Sequence, residues 1–249
     1  MKCSVVIPTR NDSGYLHRCL RALSRQSRLP DQIIVVDNGS TDDIAAVLGE
    51  FPEVTCFRED IPGVAYAVRS GYDAARHPVI LRCDADSIPS TQWVERMMET
   101  MERCAASTGA THVVAVSGIA RFGPRHPTLG RLAGALYSYT YRLVAGLALG
   151  HVALWGSNMA MTAAWWHSVR DRVHLSADIH DDYDLSFQLG PDQTIRLDPR
   201  NVMLVSWRAA ASPSRIVRQL RMAYSTMHTN WVIQKPWVRM RDRWSASRG

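Results

Sequence analysis

The sequence predicts an α/β chain with a central, mostly parallel sheet flanked by helices. Three observations carry that expectation. Short apolar runs alternate with segments of helical spacing in the order βαβαβαβ up to about residue 83. Those runs are apolar on both faces, as strands buried between helix layers must be. Turn-forming residues close them, as at Pro8 and at Asp37-Asn38-Gly39-Ser40.

Val5–Ile7 forms the first apolar run and stops at Pro8. Tyr15, Leu16, Cys19, Leu20 and Leu23 then recur at helical spacing, with Asn11, Asp12 or Ser13 placed to cap the first amides. Gln32 to Val36 is a continuous β-branched run. Thr41 to Glu50 predicts a second helix, Val54 to Phe57 a third strand, Gly63 to Arg76 a third helix and Val79 to Cys83 a fourth strand. Trp93–Met101 has helical spacing, Thr111 to Val116 reads as a strand and Arg121–Pro127 as a loop. The second half is less regular. It predicts a helix around Arg131–Leu149, a strand at Asn158–Thr162 and a helix from about Asp181. Strands near Thr194–Leu197 and Met203–Trp207 and a helix from Ser214 to Gln234 follow. There is no internal repeat and no clear linker.

With 249 residues, 46% of them hydrophobic, the chain can bury a substantial core. Its formal charge of +6 suits an anionic partner. Five cysteines form no CxxC pair and cannot all be paired, which favours a reducing cytoplasm. The first apolar run is too short for a signal peptide. Leu129 to Trp155 is apolar but is cut by Arg131 and Arg142, so an amphipathic or buried helix is expected there rather than a membrane span. Nine histidines without HExxH argue against zinc, and the absence of GxSxG argues against a serine-hydrolase elbow.

Two acidic turns stand at strand ends, where ligands bind in open α/β sheets. In Leu81-Arg82-Cys83-Asp84-Ala85-Asp86 an apolar strand runs into two carboxylates, the oxygen donors that Mg²⁺ or Mn²⁺ takes together with substrate phosphates. A solvated strand-to-helix turn has the same short pattern. Asp37 ends an earlier strand and could accept a hydrogen bond from a base or ribose; a simple Asx turn would look alike.

Taken together, SVVIPTRND, IIVVDNGSTD, PGVAYAVRSGYDAA and ILRCDADSIPSTQWVERM, over roughly residues 4–101, resemble successive motifs of the family 2 glycosyltransferases. GSNMAMTAAWW and HDDYDLSFQLG extend the resemblance to about residue 190. It implies a GT-A fold and an inverting transfer from a nucleoside-diphosphate sugar, most often a UDP-sugar, to an acceptor hydroxyl. It places Pro8, Thr9, Asp37 and Asp84 at the nucleotide and makes Asp86, helped by Asp84, the ligand of Mn²⁺ or Mg²⁺. Arg69 stands in a departure from the family's helix motif, here Ala67-Val68-Arg69-Ser70-Gly71, and is a further nucleotide candidate. Gly156, Ser157 and Asn158 resemble the segment lining the donor-sugar pocket. Asp181 and Asp182 occupy the acidic pair, with Asp182 the candidate general base. Acidic residues in a first helical turn also complement the helix dipole without any catalytic role.

Among the tryptophans, Trp207 follows a predicted strand and is the candidate for acceptor stacking. The tail from Arg215 to Arg243 mixes arginines with aromatics, which suits peripheral contact with an anionic membrane beside a glycan or lipid-linked acceptor, or else a solvated basic face. Nucleic acid is not expected. The expected organisation is a nucleotide-sugar half (1–110), an acceptor and catalytic half of the same domain (111–212) and a basic, aromatic helical extension (213–249). Two rival readings are a nucleotidyltransferase, although a Gly-rich triphosphate loop is missing near Pro8, and a non-catalytic nucleotide-sugar-binding or membrane-adaptor protein.

Overall fold

The computed structural model describes residues 1–107, 111–122, 145–206 and 213–246, and between them 132, 135, 136, 139, 140 and 143. The first half alternates as its sequence predicts: β1 (Cys3–Thr9), α1 (Ser13–Leu23), β2 (Gln32–Asp37), α2 (Ile44–Gly49), β3 (Thr55–Arg58), α3 (Val64–Asp73) and β4 (Val79–Arg82). A short β5 (Ser87–Pro89) precedes α4 (Trp93–Ala105) and β6 (His112–Phe122). The second half holds β7 (Met159–Thr162), α5 (Ala163–Val169), α6 (Asp181–Phe187), β8 (Gln193–Val205), α7 (Pro213–Ile233) and α8 (Pro236–Ala246).

The described strands join in one sheet of order β3-β2-β1-β4-β7-β6-β8-β5. The pairs β1/β2, β1/β4, β2/β3 and β6/β8 are parallel, whereas β4/β7, β6/β7 and β5/β8 are antiparallel. Strand alternation divides the core. Val5, Ile7, Val35 and Leu81 pack with α1 and α4 residues such as Leu16, Leu20, Trp93 and Met97. Val6, Ile34, Val36 and Ile80 pack on the other face with Val68, Tyr72, Trp165 and Trp166. Gly71 lets α3 lie close to that face, because a Cβ there would stand 2.4 Å from Val6 Cγ1.

Several expectations change. The amides opening α1 are not capped locally: Asp12 makes no side-chain cap bond, and Ser13 N–H donates to Asp42 at 2.8 Å instead. The two strands foreseen between Thr194 and Trp207 are one strand, β8, whose register against β6 jumps between Ser117↔Leu197 and Ile119↔Val202. The intervening Asp198-Pro199-Arg200 is absorbed as a bulge because Asp198 is satisfied by Thr100 Oγ1 at 2.6 Å and Arg200 at 2.8 Å. β6 runs on to Phe122, so Arg121 and Phe122 are strand, and the remainder of the loop foreseen to Pro127 lies outside the described residues.

The C-terminal helices are docked by polar bonds to main chain. Arg239 is buried and donates to the carbonyls of Leu149 at 3.0 Å and Phe187 at 2.8 Å, and to His151 Nε2 at 2.9 Å. Arg243 donates to the Gly190 and Gln193 carbonyls. Asn230 on α7 donates to Asp184 at 2.7 Å, which His174 also engages.

Candidate active site

The carboxyl ends of β1, β2 and β4 form one edge. Thr9 and Asp37 are register partners there, and the Asn38 amide N–H donates to Thr9 O at 2.9 Å. Asp37 accepts the Ser40 N–H at 2.9 Å in a turn that Gly39 completes with φ +73°. The Asn38 side chain donates to the Glu59 and Ile61 carbonyls at 3.0 and 2.7 Å and accepts from Gly63 N–H at 2.7 Å, which anchors the turn from behind. Pro8 is buried, and the buried Thr9 hydroxyl has no hydrogen-bond partner among the described residues. A polar atom left so at a sheet edge is one a ligand can satisfy.

Beside this edge lies a charged cluster organised by a residue that sequence reasoning missed. Arg82 ends β4 with its side chain only 4% exposed. Its Nη1 pairs with Asp181 and its Nη2 reaches Asp84 Oδ1 at 3.2 Å. The other Asp84 oxygen accepts the Ser157 hydroxyl. Gly156 lies against the guanidinium, where a Cβ would come within 2.7 Å of Cζ, and its N–H donates to Asp182 Oδ2 at 2.6 Å. The second Asp182 oxygen accepts Tyr183 N–H at 2.8 Å. The Asp84, Gly156-Ser157 and Asp181-Asp182 segments thus form one unit around Arg82. The signal for it was an arginine within an apolar strand, directly before the acidic turn.

Burial pushes the Asp181 carboxyl up, against the pull of Arg82, and the neighbouring Asp182 adds to the rise. Arg82 stays charged: burial opposes its charge, but Asp181, Tyr72, Asp84 and Asp182 together outweigh that. Tyr72, fully buried next to this pair, has its hydroxyl pushed up by burial and remains protonated.

Asp86 stands one residue before β5. Pairing of Ser87 with Val205 on β8 brings Ser206 alongside, and its hydroxyl donates to Asp86 Oδ2 at 2.8 Å. Asn158 is fully buried: it accepts the Trp93 indole N–H at 2.7 Å and donates to the Ile119 and Asn201 carbonyls at 3.2 and 2.9 Å. Its amide therefore ties β6, β7, β8 and α4 together beneath Gly156 and Ser157. Arg69 pairs with Asp171 at 3.3 Å and Asp73 at 3.9 Å. Trp207 lies outside the described residues.

Residues 4–161 match the family model described as Glycosyl transferase family 2. The chain belongs to this family. Glycosyltransferase AglE of Haloferax volcanii is 30% identical over 105 residues, covering 39% of this chain and 34% of that protein. The chain thus matches only about a third of the length of that relative. Among solved structures, the mannosyltransferase PcManGT from Pyrobaculum calidifontis in complex with GDP-Man and Mn²⁺ superposes with TM-score 0.63 at 15% identity, covering 98% of this chain and 73% of that one. Glucosyl-3-phosphoglycerate synthase from Mycobacterium tuberculosis, in complex with Mn²⁺, UDP and phosphoglyceric acid, gives TM-score 0.63 at 18% identity, covering 92% and 78%. The fold of this family 2 glycosyltransferase chain is therefore GT-A, a mixed α/β sheet flanked by helices.

Proposed function

We propose that the chain transfers a sugar, with inversion, from a nucleoside-diphosphate donor, by preference a UDP-sugar, to an acceptor hydroxyl. The observation that carries this reading is the convergence of Asp84, Gly156-Ser157 and Asp181-Asp182 on buried Arg82, next to the Thr9/Asp37 edge. In this reading Thr9 and Asp37 meet the nucleotide, Gly156 and Ser157 border the sugar, and Asp182 takes the proton of the acceptor hydroxyl as it attacks the anomeric carbon from the side opposite the diphosphate. The backbone amides of Gly156 and Tyr183 hold the Asp182 carboxylate in place while leaving it acceptor capacity for that proton. Residues 1–110 supply the nucleotide side, 111–212 the acceptor side, and 213–249 an extension packed beside it. The acceptor in this reading is any molecule with a suitable hydroxyl, a glycan or lipid-linked sugar as well as a protein or small molecule, and the proposed setting is the cytoplasm.

Asp86 and Asp84 are the residues that would hold Mn²⁺ or Mg²⁺. Their hard oxygens match such an ion, and no group of three or more His, Cys, Asp or Glu suited to a metal occurs among the described residues, so phosphate oxygens and water would complete the shell. The bound cation would supply positive charge to the departing diphosphate. In this reading Asp86, which the Ser206 hydroxyl also engages, is the principal ligand, and Asp84, held by Arg82 and Ser157, assists it.

A thermal-shift titration tests donor binding without turnover: UDP, GDP, dTDP and ADP, each with Mn²⁺, Mg²⁺ or EDTA, on wild type and Asp86→Ala. Stabilisation by UDP with metal, lost in the variant, is the expected result. No stabilisation by any diphosphate overturns the reading. Product NMR that shows retention of the donor's anomeric configuration overturns the single displacement.

A further inference from the structure

The described helical residues between 132 and 149 and the C-terminal helices expose apolar side chains in a pattern that packing does not use. Leu132, Leu136, Tyr139, Leu143 and Leu147 are each 50–70% exposed and recur every three or four residues, so they share one helix face. The opposite face, with Ala145, Ala148 and Leu149, is buried with Tyr183 and Phe187 and backed by Met227 and Trp231 of α7. α7 repeats the arrangement. Its Met222, Thr226 and Asn230 are buried, while Ile216, Val217, Leu220 and Tyr224 are 46–65% exposed, with exposed Arg218 and Arg221 beside them. The two elements are joined where the Trp231 indole donates to Ala148 O at 3.3 Å.

Charge indicates what covers these faces. Segments 123–151 and 213–249 together contain eleven Lys and Arg and one acid, Asp242, whereas the whole chain has 29 basic and 23 acidic residues. The rest of the molecule is therefore net acidic. Arg239 and Arg243 are turned inward to main-chain carbonyls and Arg241 pairs with Asp242, whereas Arg218 and Arg221 are exposed. A second copy of the chain would bring the same positive charge to the contact, and like charges repel. No helix among the described residues is long and apolar enough to cross a membrane.

We propose that this surface lies on an anionic lipid bilayer, with the leucine stripe of 132–147 and the Ile216–Tyr224 face at the headgroup boundary and Arg218 and Arg221 at the lipid phosphates. The proposal depends on neither the donor nor the reaction, so its failure would leave the glycosyl-transfer reading standing.

Co-sedimentation of the purified chain with vesicles of phosphatidylglycerol or of phosphatidylcholine tests it. The chain is expected to pellet with the anionic vesicles and not with the zwitterionic ones, and to be released by salt. Leu136→Ser/Leu143→Ser and Arg218→Gln/Arg221→Gln should each lower partition by roughly tenfold or more, with melting temperature and UDP-induced shift unchanged. A wild type that stays in the supernatant with anionic vesicles overturns the proposal, as does a leucine variant that binds as wild type does. Light scattering that shows a dimer abolished by the leucine changes, with no vesicle binding, assigns the surface to a second copy instead.

Discussion

At the scale of single residues, the candidate site turns on what surrounds two carboxylates in consecutive positions. Asp181 is buried against Arg82, whereas Asp182 takes two backbone N–H groups. They therefore answer differently to substitution. Asp182→Asn keeps an oxygen for the Gly156 amide but loses the acceptor of the Tyr183 N–H and cannot take a proton, so kcat should fall by about 10²–10⁴ while the UDP-induced shift holds and folding stability drops by only about 1–3 kcal/mol; steady-state kinetics beside melting curves check this. Arg82→Met leaves Asp181 buried without its partner, which should destabilise the fold by about 3–5 kcal/mol. Adding Asp181→Asn should recover much of that loss in urea titrations, because the uncompensated charge is then gone. If the double variant is no more stable than Arg82→Met alone, the ion pair is not what Arg82 contributes.

At the scale of elements, the first-half alternation was legible because each strand is a continuous apolar run and each helix has a clear face. Glycine at 71 is part of that design: Gly71→Ala would press its Cβ on Val6 Cγ1 at 2.4 Å and Val36 Cγ2 at 3.0 Å. The variant should lose about 1–3 kcal/mol from overpacking, read as a lower midpoint in chemical denaturation. Elements that escaped the sequence are short or depend on distant partners. β5 has 3 residues and exists through pairing with β8. α5 has 7, too few to display a period, and begins where Thr162 accepts the Trp165 N–H at 3.2 Å. α8 lies within the helical extension expected over 213–249 and begins at Pro236, a suitable first helical residue, but its place is set by Arg239 and Arg243 reaching carbonyls of residues 149 to 193.

At the scale of the whole molecule, that docking carries a pH dependence. Burial, helped by the charge of Arg239, lowers the His151 pKa from 6.5 to about 3, and neutral Nε2 accepts from Arg239. The unfolded chain binds a proton near pH 6.5 and the folded one does not, so the contribution is full above 6.5 and fades as pH falls towards 3. At pH 5 the loss should be on the order of 2 kcal/mol, seen as faster amide exchange in α7 and α8. His151→Gln, which keeps an acceptor but does not titrate, should flatten that dependence; an unchanged profile would exclude His151 as its source.

The sequence alone determined the α/β class, the acidic turns and the family resemblance, because strand burial, turn chemistry and motif order are local properties of the chain. It also placed Asp37, Asp84, Asp86, Asp181 and Asp182 as candidates. Only the tertiary structure decided that Asp84 and Asp181 share Arg82, that Asn158 is a bracket between strands and helix, and that Arg69 pairs with Asp73 and Asp171. Those outcomes depend on which polar groups meet when residues tens of positions apart lose their water together, and each buried charge takes whatever partner the packing brings within reach.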